Sequence, residues 1–128
     1  MSTRSVSQVW PADQLVNLNA ERSMHHQQRA KLVKPIREAF KHAAVDLAPL
    51  GGPVVVLGRF EWADNHTRDT SNWLPTLKAA VDGLVDAGVI ARDDDRTVRD
   101  TSIGPDGPAN PGLKGYCRIT VTITETEA

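Results

Sequence analysis

Apolar and polar residues alternate with a period of two near the C-terminal end of this chain. The alternation sets four apolar residues against four polar ones: Cys117, Ile119, Val121 and Ile123 against Arg118, Thr120, Thr122 and Thr124. This pattern predicts a β-strand with one buried face and one exposed face. Upstream, the continuous apolar start of Val54–Trp62 predicts a strand inside a sheet. Weaker strands are predicted near Val9–Leu18, interrupted by Pro11, and around Thr97–Ile103.

Two helices are predicted from apolar residues that recur every three or four positions. The first is clearest over Pro35–Leu47, and its apolar stripe consists of Val33, Ile36, Phe40, Ala44 and Leu47. Pro35 either opens this helix or kinks a longer one that begins near Glu21. The second helix runs from about Asn72 to Ala87, and Gly88 is well suited to end it.

The order of these elements predicts an α/β (α+β) fold: a single compact domain over residues 1–128, with a mixed β-sheet and two main helices. A chain of 128 residues can bury one self-sufficient core. The segment Gly104–Gly115 carries three prolines and four glycines, which predicts a loop. No membrane span is expected, since no run of about 18 apolar residues occurs. The single cysteine, Cys117, is expected to be a buried thiol in a cytoplasmic protein.

Charge is distributed unevenly, although the net charge is only −1. Six basic residues occur between positions 22 and 41, against one acid, Glu38: Arg22, Arg29, Lys31, Lys34, Arg37 and Lys41. Between Glu61 and Asp100, acids outnumber bases nine to five. This separation suits a protein that contacts a polyanion with one surface and holds metal ions with another. Charge alone, however, favours the alternative of a solvated basic helix face beside acidic loops.

Acidic residues concentrate around the second predicted helix. Asp69 precedes it, Lys78 and Asp82 lie one turn apart on it, and Asp93–Asp95 follow it. Clustered carboxylates repel, by about 4 kcal/mol for two charges about 4 Å apart at an effective dielectric of 20, unless a cation compensates them. An all-oxygen ligand set is typical of Mg²⁺, and Mg²⁺ beside a lysine is suited to phosphodiester hydrolysis.

Each of these features also has a purely structural interpretation. Asp93–Asp95 are compatible with a solvated turn, Asn72 and Ser71 with a helix cap, and Lys78–Asp82 with an exposed ion pair. Three aromatic residues are expected to belong to the core rather than to stack on bases: Phe60, Trp62 and Trp73. The residues taken singly leave both interpretations open.

The order of the residues from Asp69 to Asp95 resembles the signature of the RusA family of Holliday-junction resolvases, in its phage or prophage form. That signature has an Asp-x-Asp-Asn segment, then a lysine, an aspartate four residues later, and an Asp-Asp pair before a strand. Lys78, Asp82 and the aspartate triplet match its later part. Upstream, the segment Leu18-Asn19-Ala-Glu-Arg22-Ser-Met-His25 resembles the family's N-terminal segment.

The resemblance implies a RusA-like homodimer that uses Mg²⁺ to nick opposed strands of a four-way DNA junction during recombination and repair. Carried over by position, Asp69 and Lys78 match catalytic residues of the family, and either Asp94 or Asp95 matches the later catalytic aspartate, because the longer spacing here leaves the register within the triplet open. The implied metal ligands are Asp69, Asp94 and Asp95. Asn72 and Asp82 would support the site, and the six basic residues named above would contact DNA.

One position departs from the family signature, because Ser71 stands where the family has its second aspartate. A serine hydroxyl is a weak metal ligand, and one negative charge is lost. Either Asp64, Asp82 or Asp93 compensates, or the chain has a second kind of function. In that alternative it is a catalytically weakened RusA-like protein that binds branched DNA or a protein partner without efficient cleavage.

Overall fold

A computed structural model of the chain describes residues 2–64, 68–105 and 114–126. Within these residues there are four strands: β1 (Thr3–Pro11), β2 (Val54–Trp62), β3 (Val98–Ile103) and β4 (Tyr116–Glu125). The α-helices there are α1 (Leu18–Glu21), α2 (His26–Ala44) and α3 (Leu74–Asp86), and 3₁₀ turns cover Ala12–Gln14 and Thr70–Trp73. The elements form one compact α+β domain with two main helices, as predicted.

The strands form a mixed sheet in the order β1-β4-β2-β3. Strand β4 is antiparallel to both of its neighbours, whereas β3 is parallel to β2 at the edge. The first and last strands therefore lie side by side, with Thr3 opposite Thr124. Strand β2 is internal, which confirms the prediction from its apolar start.

One face of the sheet is buried by α2 and α3. The alternating apolar residues of β4 are fully buried there, together with Ile36, Phe40, Leu77 and Leu84 of the helices. The other face carries hydroxyl pairs between β1 and β4, with Ser5 Oγ 3.0 Å from Thr122 Oγ1 and Ser7 Oγ 2.8 Å from Thr120 Oγ1. Burial of Phe60, Trp62 and Cys117 confirms that these residues belong to the core.

The two main helices approach each other closely at Gly83. A Cβ atom at this position would lie 2.3 Å from the backbone oxygen of Arg37, so only glycine fits there. Helix α2 continues through Pro35, which resolves the alternatives left by the sequence in favour of one longer helix. Because proline has no N–H, it cannot donate the usual helical hydrogen bond to the carbonyl of Lys31.

The N-terminal segment is fastened to α3 by Thr76, which is fully buried. The backbone N–H of Val16 donates to Thr76 Oγ1 at 2.8 Å, and the Thr76 hydroxyl donates to the carbonyl of Val16 at 3.0 Å. Gly88 follows α3 with φ of 84°, as expected for a residue that ends a helix.

One element boundary predicted from the sequence was wrong, because the first strand ends at Pro11 instead of spanning Val9–Leu18. The start of α2, which the sequence left open, lies at His26, nine residues before the clear helical pattern. The predicted Gly104–Gly115 loop falls largely outside the described residues. In the part of the chain that the structure describes, no helix is long and apolar enough to cross a membrane.

Candidate functional site

The Lys78 side chain stands at an open pocket between α3 and the segment that follows it. Its ammonium group donates to Asp82 Oδ1 at 3.1 Å and forms a second, very short ion pair with Asp93. The pocket encloses about 330 Å³ and is lined by Leu74, Lys78, Asp93, Asp94, Asp95, Val98 and Thr101. The segment after α3 thus returns the three aspartates to the lysine, as the helix–turn–strand order predicted.

The Lys78 ammonium is stabilised in its charged form. Burial acts to lower the pKa of Lys78, but hydrogen bonds and charges from Asp93 and Asp82 outweigh it and raise that pKa above the ordinary 10.5. At neutral pH the group is therefore a permanent cation with donors aimed into an acidic pocket. It is suited to stabilise negative charge on a bound phosphate rather than to remove a proton.

Asp94 organises the turn that leads into β3. Its Oδ1 accepts hydrogen bonds from the backbone N–H groups of Thr97 at 2.9 Å and Arg96 at 3.1 Å. These bonds, first the one from Thr97, lower the pKa of Asp94 below its usual value, so the carboxylate is ionised at neutral pH. The turn therefore holds a charged carboxylate in the pocket without an ion-pair partner within the described residues.

Asp69 lies at the start of the turn before α3 and does not line this pocket. Its Oδ1 accepts from the backbone N–H of Ser71 at 3.1 Å and from the Ser71 hydroxyl at 2.8 Å. Asp69, rather than Asn72 or Ser71, is the capping residue, so the cap interpretation of Asn72 was wrong. The turn itself packs beside β3.

Asn72 instead accepts a hydrogen bond from the N-terminal part of the chain. Asn19 Nδ2 donates to Asn72 Oδ1 at 3.2 Å, and α1 packs against the turn that contains Asn72. The two segments that carry the resemblance are therefore in direct contact, through residues 53 positions apart in the sequence.

The donor set of the pocket fits Mg²⁺ in part. Its ligating atoms are carboxylate and hydroxyl oxygens, which a hard cation prefers. Among the described residues, however, no group of three His, Cys, Asp or Glu side chains is arranged to hold a metal ion. Because Mg²⁺ is commonly held by one or two carboxylates with water and substrate phosphate, Asp94 and Asp95 fit such a partial set.

A basic groove lies between α2 and the end of α3, with a volume of about 410 Å³. Its lining combines four cations with two acids and two apolar residues: Arg29, Lys34, Arg37, Lys41, Glu38, Asp86, Ala30 and Val33. Four of the six basic residues singled out in the sequence therefore share one groove. Arg22 and Lys31 lie outside it.

Arg37 and Asp86 form a two-pronged ion pair in this groove, with nitrogen–oxygen distances of 2.6 and 2.8 Å. Their hydrogen bond raises the pKa of Arg37 and lowers the pKa of Asp86. Asp86, Asp82 and Lys78 recur every four residues along α3, and Arg37 also feels the charges of Asp82 and Asp93. Charged side chains therefore extend along α3 from the groove to the Lys78 pocket, with two aspartates followed by the lysine.

Sequence reasoning missed three contributions to the site. Asp93, considered only as a substitute ligand, is the residue that pairs with Lys78. Thr101 and Leu74 line the pocket, but Thr101 lies in the mostly polar strand β3, whose pattern gave no face assignment. Only the return of Asp93–Asp95 to the helix could have been anticipated, from the short connection between α3 and β3.

Neither the available family models nor the curated proteins include one that matches this chain. The functional interpretation therefore depends on the geometry of the pocket and groove, together with the resemblance of the residue order.

Proposed function

We propose that this protein is a Mg²⁺-dependent endodeoxyribonuclease that resolves four-way DNA junctions by paired nicking as a homodimer in the cytoplasm. The observation that carries the proposal is the meeting of Lys78 with three aspartates at one open pocket. A protonated lysine beside oxygen ligands is a combination suited to phosphodiester hydrolysis. The basic groove next to the pocket accounts for a polyanionic substrate.

In this proposal each side chain has a defined task. Lys78 donates hydrogen bonds to the scissile phosphate and offsets the negative charge that develops on it. Asp94 and Asp95 would hold Mg²⁺, which when bound supplies hydroxide from coordinated water and neutralises charge on the phosphate. Asp82 keeps Lys78 oriented along α3 through the 3.1 Å ion pair, and Asn72 supports the turn before the helix.

Asp69 enters the proposal through the resemblance alone. Its carboxylate lies outside the pocket lining and is engaged by Ser71. The homodimer likewise follows from the resemblance, because paired nicking needs two active sites. A sedimentation measurement should therefore give twice the 14.0 kDa of the chain.

The central experiment is nicking of a synthetic four-way junction with Mg²⁺ and with chelator. Lys78→Ala should lower the rate by about 10² to 10³, the usual cost of one charge-stabilising donor, while junction binding in chelator stays near wild type. Lys114→Ala, at an exposed lysine outside the pocket, is the matched control. Normal nicking by Lys78→Ala would refute the proposed site.

A second function is supported by a specific observation. Ser71 donates to Asp69 where the family has a carboxylate, and no three-ligand group exists among the described residues. Both features favour a protein that binds branched DNA without efficient cleavage. Tight junction binding with no Mg²⁺-dependent nicking by the wild type would select this alternative.

A further inference from the structure

The four cations of the basic groove are not equivalent. Arg29 pairs with Glu21 at 2.6 Å, and Arg37 is held by both oxygens of Asp86. Lys34 and Lys41 form no ion pair within the described residues. Two cations are therefore held in ion pairs, while the other two line the groove without one, and of these two only the charge of Lys41 acts on Asp86.

Two of the residues that line the groove are apolar. Val33 and Ala30 lie one and two turns before Arg37 on the same helix. A ligand that fits must combine separated negative charges with less polar units between them. The sugar–phosphate backbone of a nucleic acid has this composition, since charged phosphates alternate with deoxyribose rings.

We infer that this groove binds the sugar–phosphate backbone of one DNA arm, with Lys34 and Lys41 as the phosphate contacts. Arg29 and Arg37 are held in place by their ion pairs and shape the groove, and Ala30 and Val33 contact the sugars. The inference rests on the proposed function in one respect, namely that DNA is the polyanion. It adds which residues touch the backbone and which only shape the groove.

The groove lies on the path to the Lys78 pocket. Lys78 and Asp86 are eight residues apart on α3, which is about 12 Å along a helix axis. A backbone bound in the groove by Lys34 and Lys41 is therefore close enough to Lys78 to continue into its pocket. The arm in the groove is the one that contains the scissile phosphate.

Substitution of Glu38 should change the affinity for DNA in the opposite direction from substitution of the two lysines. Its carboxylate lines the groove and repels a bound phosphate. Glu38→Gln should therefore raise affinity for DNA, whereas loss of either lysine should lower it. The three residues are exposed, so their substitution leaves the core intact.

The test measures junction binding by the full chain in chelator at several salt concentrations. Loss of both lysines should reduce the slope of log affinity against log salt by about 1.8, since each phosphate contact contributes about 0.9. Between 50 and 200 mM salt that difference corresponds to about a twelvefold smaller loss of affinity. Lys31→Ala, on the same helix but outside the groove, should change the slope far less.

Three results would overturn the inference. Lys31→Ala could reduce the slope as much as Lys34→Ala, which would indicate a diffuse basic surface. Glu38→Gln could weaken binding. A polyglutamate chain could compete as well as DNA of equal charge, which would point to an acidic protein partner instead of a phosphate backbone.

Failure of the inference can be separated from failure of the proposed function. If the double lysine variant binds like wild type but the wild type nicks junctions with Mg²⁺, the groove assignment is wrong and the nuclease stands. If the wild type does not nick junctions with Mg²⁺ but DNA binding depends on Lys34 and Lys41, the groove assignment holds and the nuclease proposal is wrong.

Discussion

At the scale of single residues, the buried hydroxyl of Thr76 gives the clearest energetic prediction. Thr76→Val keeps the shape of the side chain but leaves the N–H and carbonyl of Val16 without partners in a buried position. Each unsatisfied buried group costs about 1–3 kcal/mol, so unfolding by denaturant should show a loss of about 2 kcal/mol or more. Thr122→Val, at an exposed-face hydroxyl pair, should cost about 0.5 kcal/mol or less. Equal losses in the two variants would contradict this account.

Ser71 is the residue whose substitution bears most directly on the departure from the family signature. Ser71→Asp removes the hydroxyl that donates to Asp69 and adds a second carboxylate beside it. In chelator the variant should be less stable, because the two carboxylates repel each other. Mg²⁺ should restore that loss and raise the nicking rate, measured by thermal unfolding and by metal titration of nicking. No change in either measurement would exclude position 71 from the metal site.

Local spacing predicted some of the candidate site but not all of it. The Lys78–Asp82 pair follows from helical geometry, because residues four apart lie on one face. The partner choice of Asp93 depends on the conformation of the turn after α3, which no periodicity specifies. Asn72 was misassigned as a cap because Asp69 has an equally suitable side chain and lies one residue before the turn.

At the scale of elements, the close contact between α2 and α3 depends on the absence of a side chain at Gly83. Gly83→Ala would gain about 1 kcal/mol in helix propensity, but its Cβ would meet the Arg37 backbone at 2.3 Å. Overpacking commonly costs about 1–3 kcal/mol, and rigid backbone cannot move aside as a side chain can. We expect a net loss of about 2 kcal/mol in denaturant unfolding. Gly51→Ala, with nothing within 4 Å of its added Cβ, is the control and should be close to neutral.

The elements with strong periodicity were predicted closely, and the start of the weaker strand β3 was also predicted to within one residue. Strands β2 and β4 were within one or two residues of their observed bounds, since alternation or a continuous apolar run marks them. The start of α2 was left open by the sequence because the residues before Pro35 are mostly polar. Strand β1 was misplaced because Val6 is the one apolar residue of its first half.

At the scale of the whole molecule, metal binding should appear as added stability. If Mg²⁺ binds only the native state, a concentration ten times its dissociation constant stabilises by about 1.4 kcal/mol. That corresponds to a rise of roughly 5 °C in Tm. The double change Asp94→Asn and Asp95→Asn should abolish the rise, and the asparagine oxygen at position 94 can still accept the two turn hydrogen bonds. Asp100→Asn, on β3 outside the pocket, should leave the rise in Tm unchanged. An identical rise in the wild type and in both variants would show that Asp94 and Asp95 do not bind the metal.

The fold class followed from the order of the elements, whereas the strand order did not. A mixed sheet was predicted because a parallel crossover and an antiparallel return both fitted the connections. Nothing in the pattern of β4 indicates that it enters between β1 and β2. That arrangement depends on contacts across the full length of the chain, such as Thr3 with Thr124, which local patterns do not report.

The central place of β4 has a consequence for how the protein is made in the cell. Strand β1 leaves the ribosome before β2, β3 and β4, but its hydrogen-bonding partner begins at Tyr116 and is synthesised more than 100 residues later. Until β4 is made, β1 and β2 therefore expose unpaired edges, a state that favours aggregation. The sheet can close only when β4 has emerged, so folding of this domain is expected to be slow for its size, since long-range pairing delays folding.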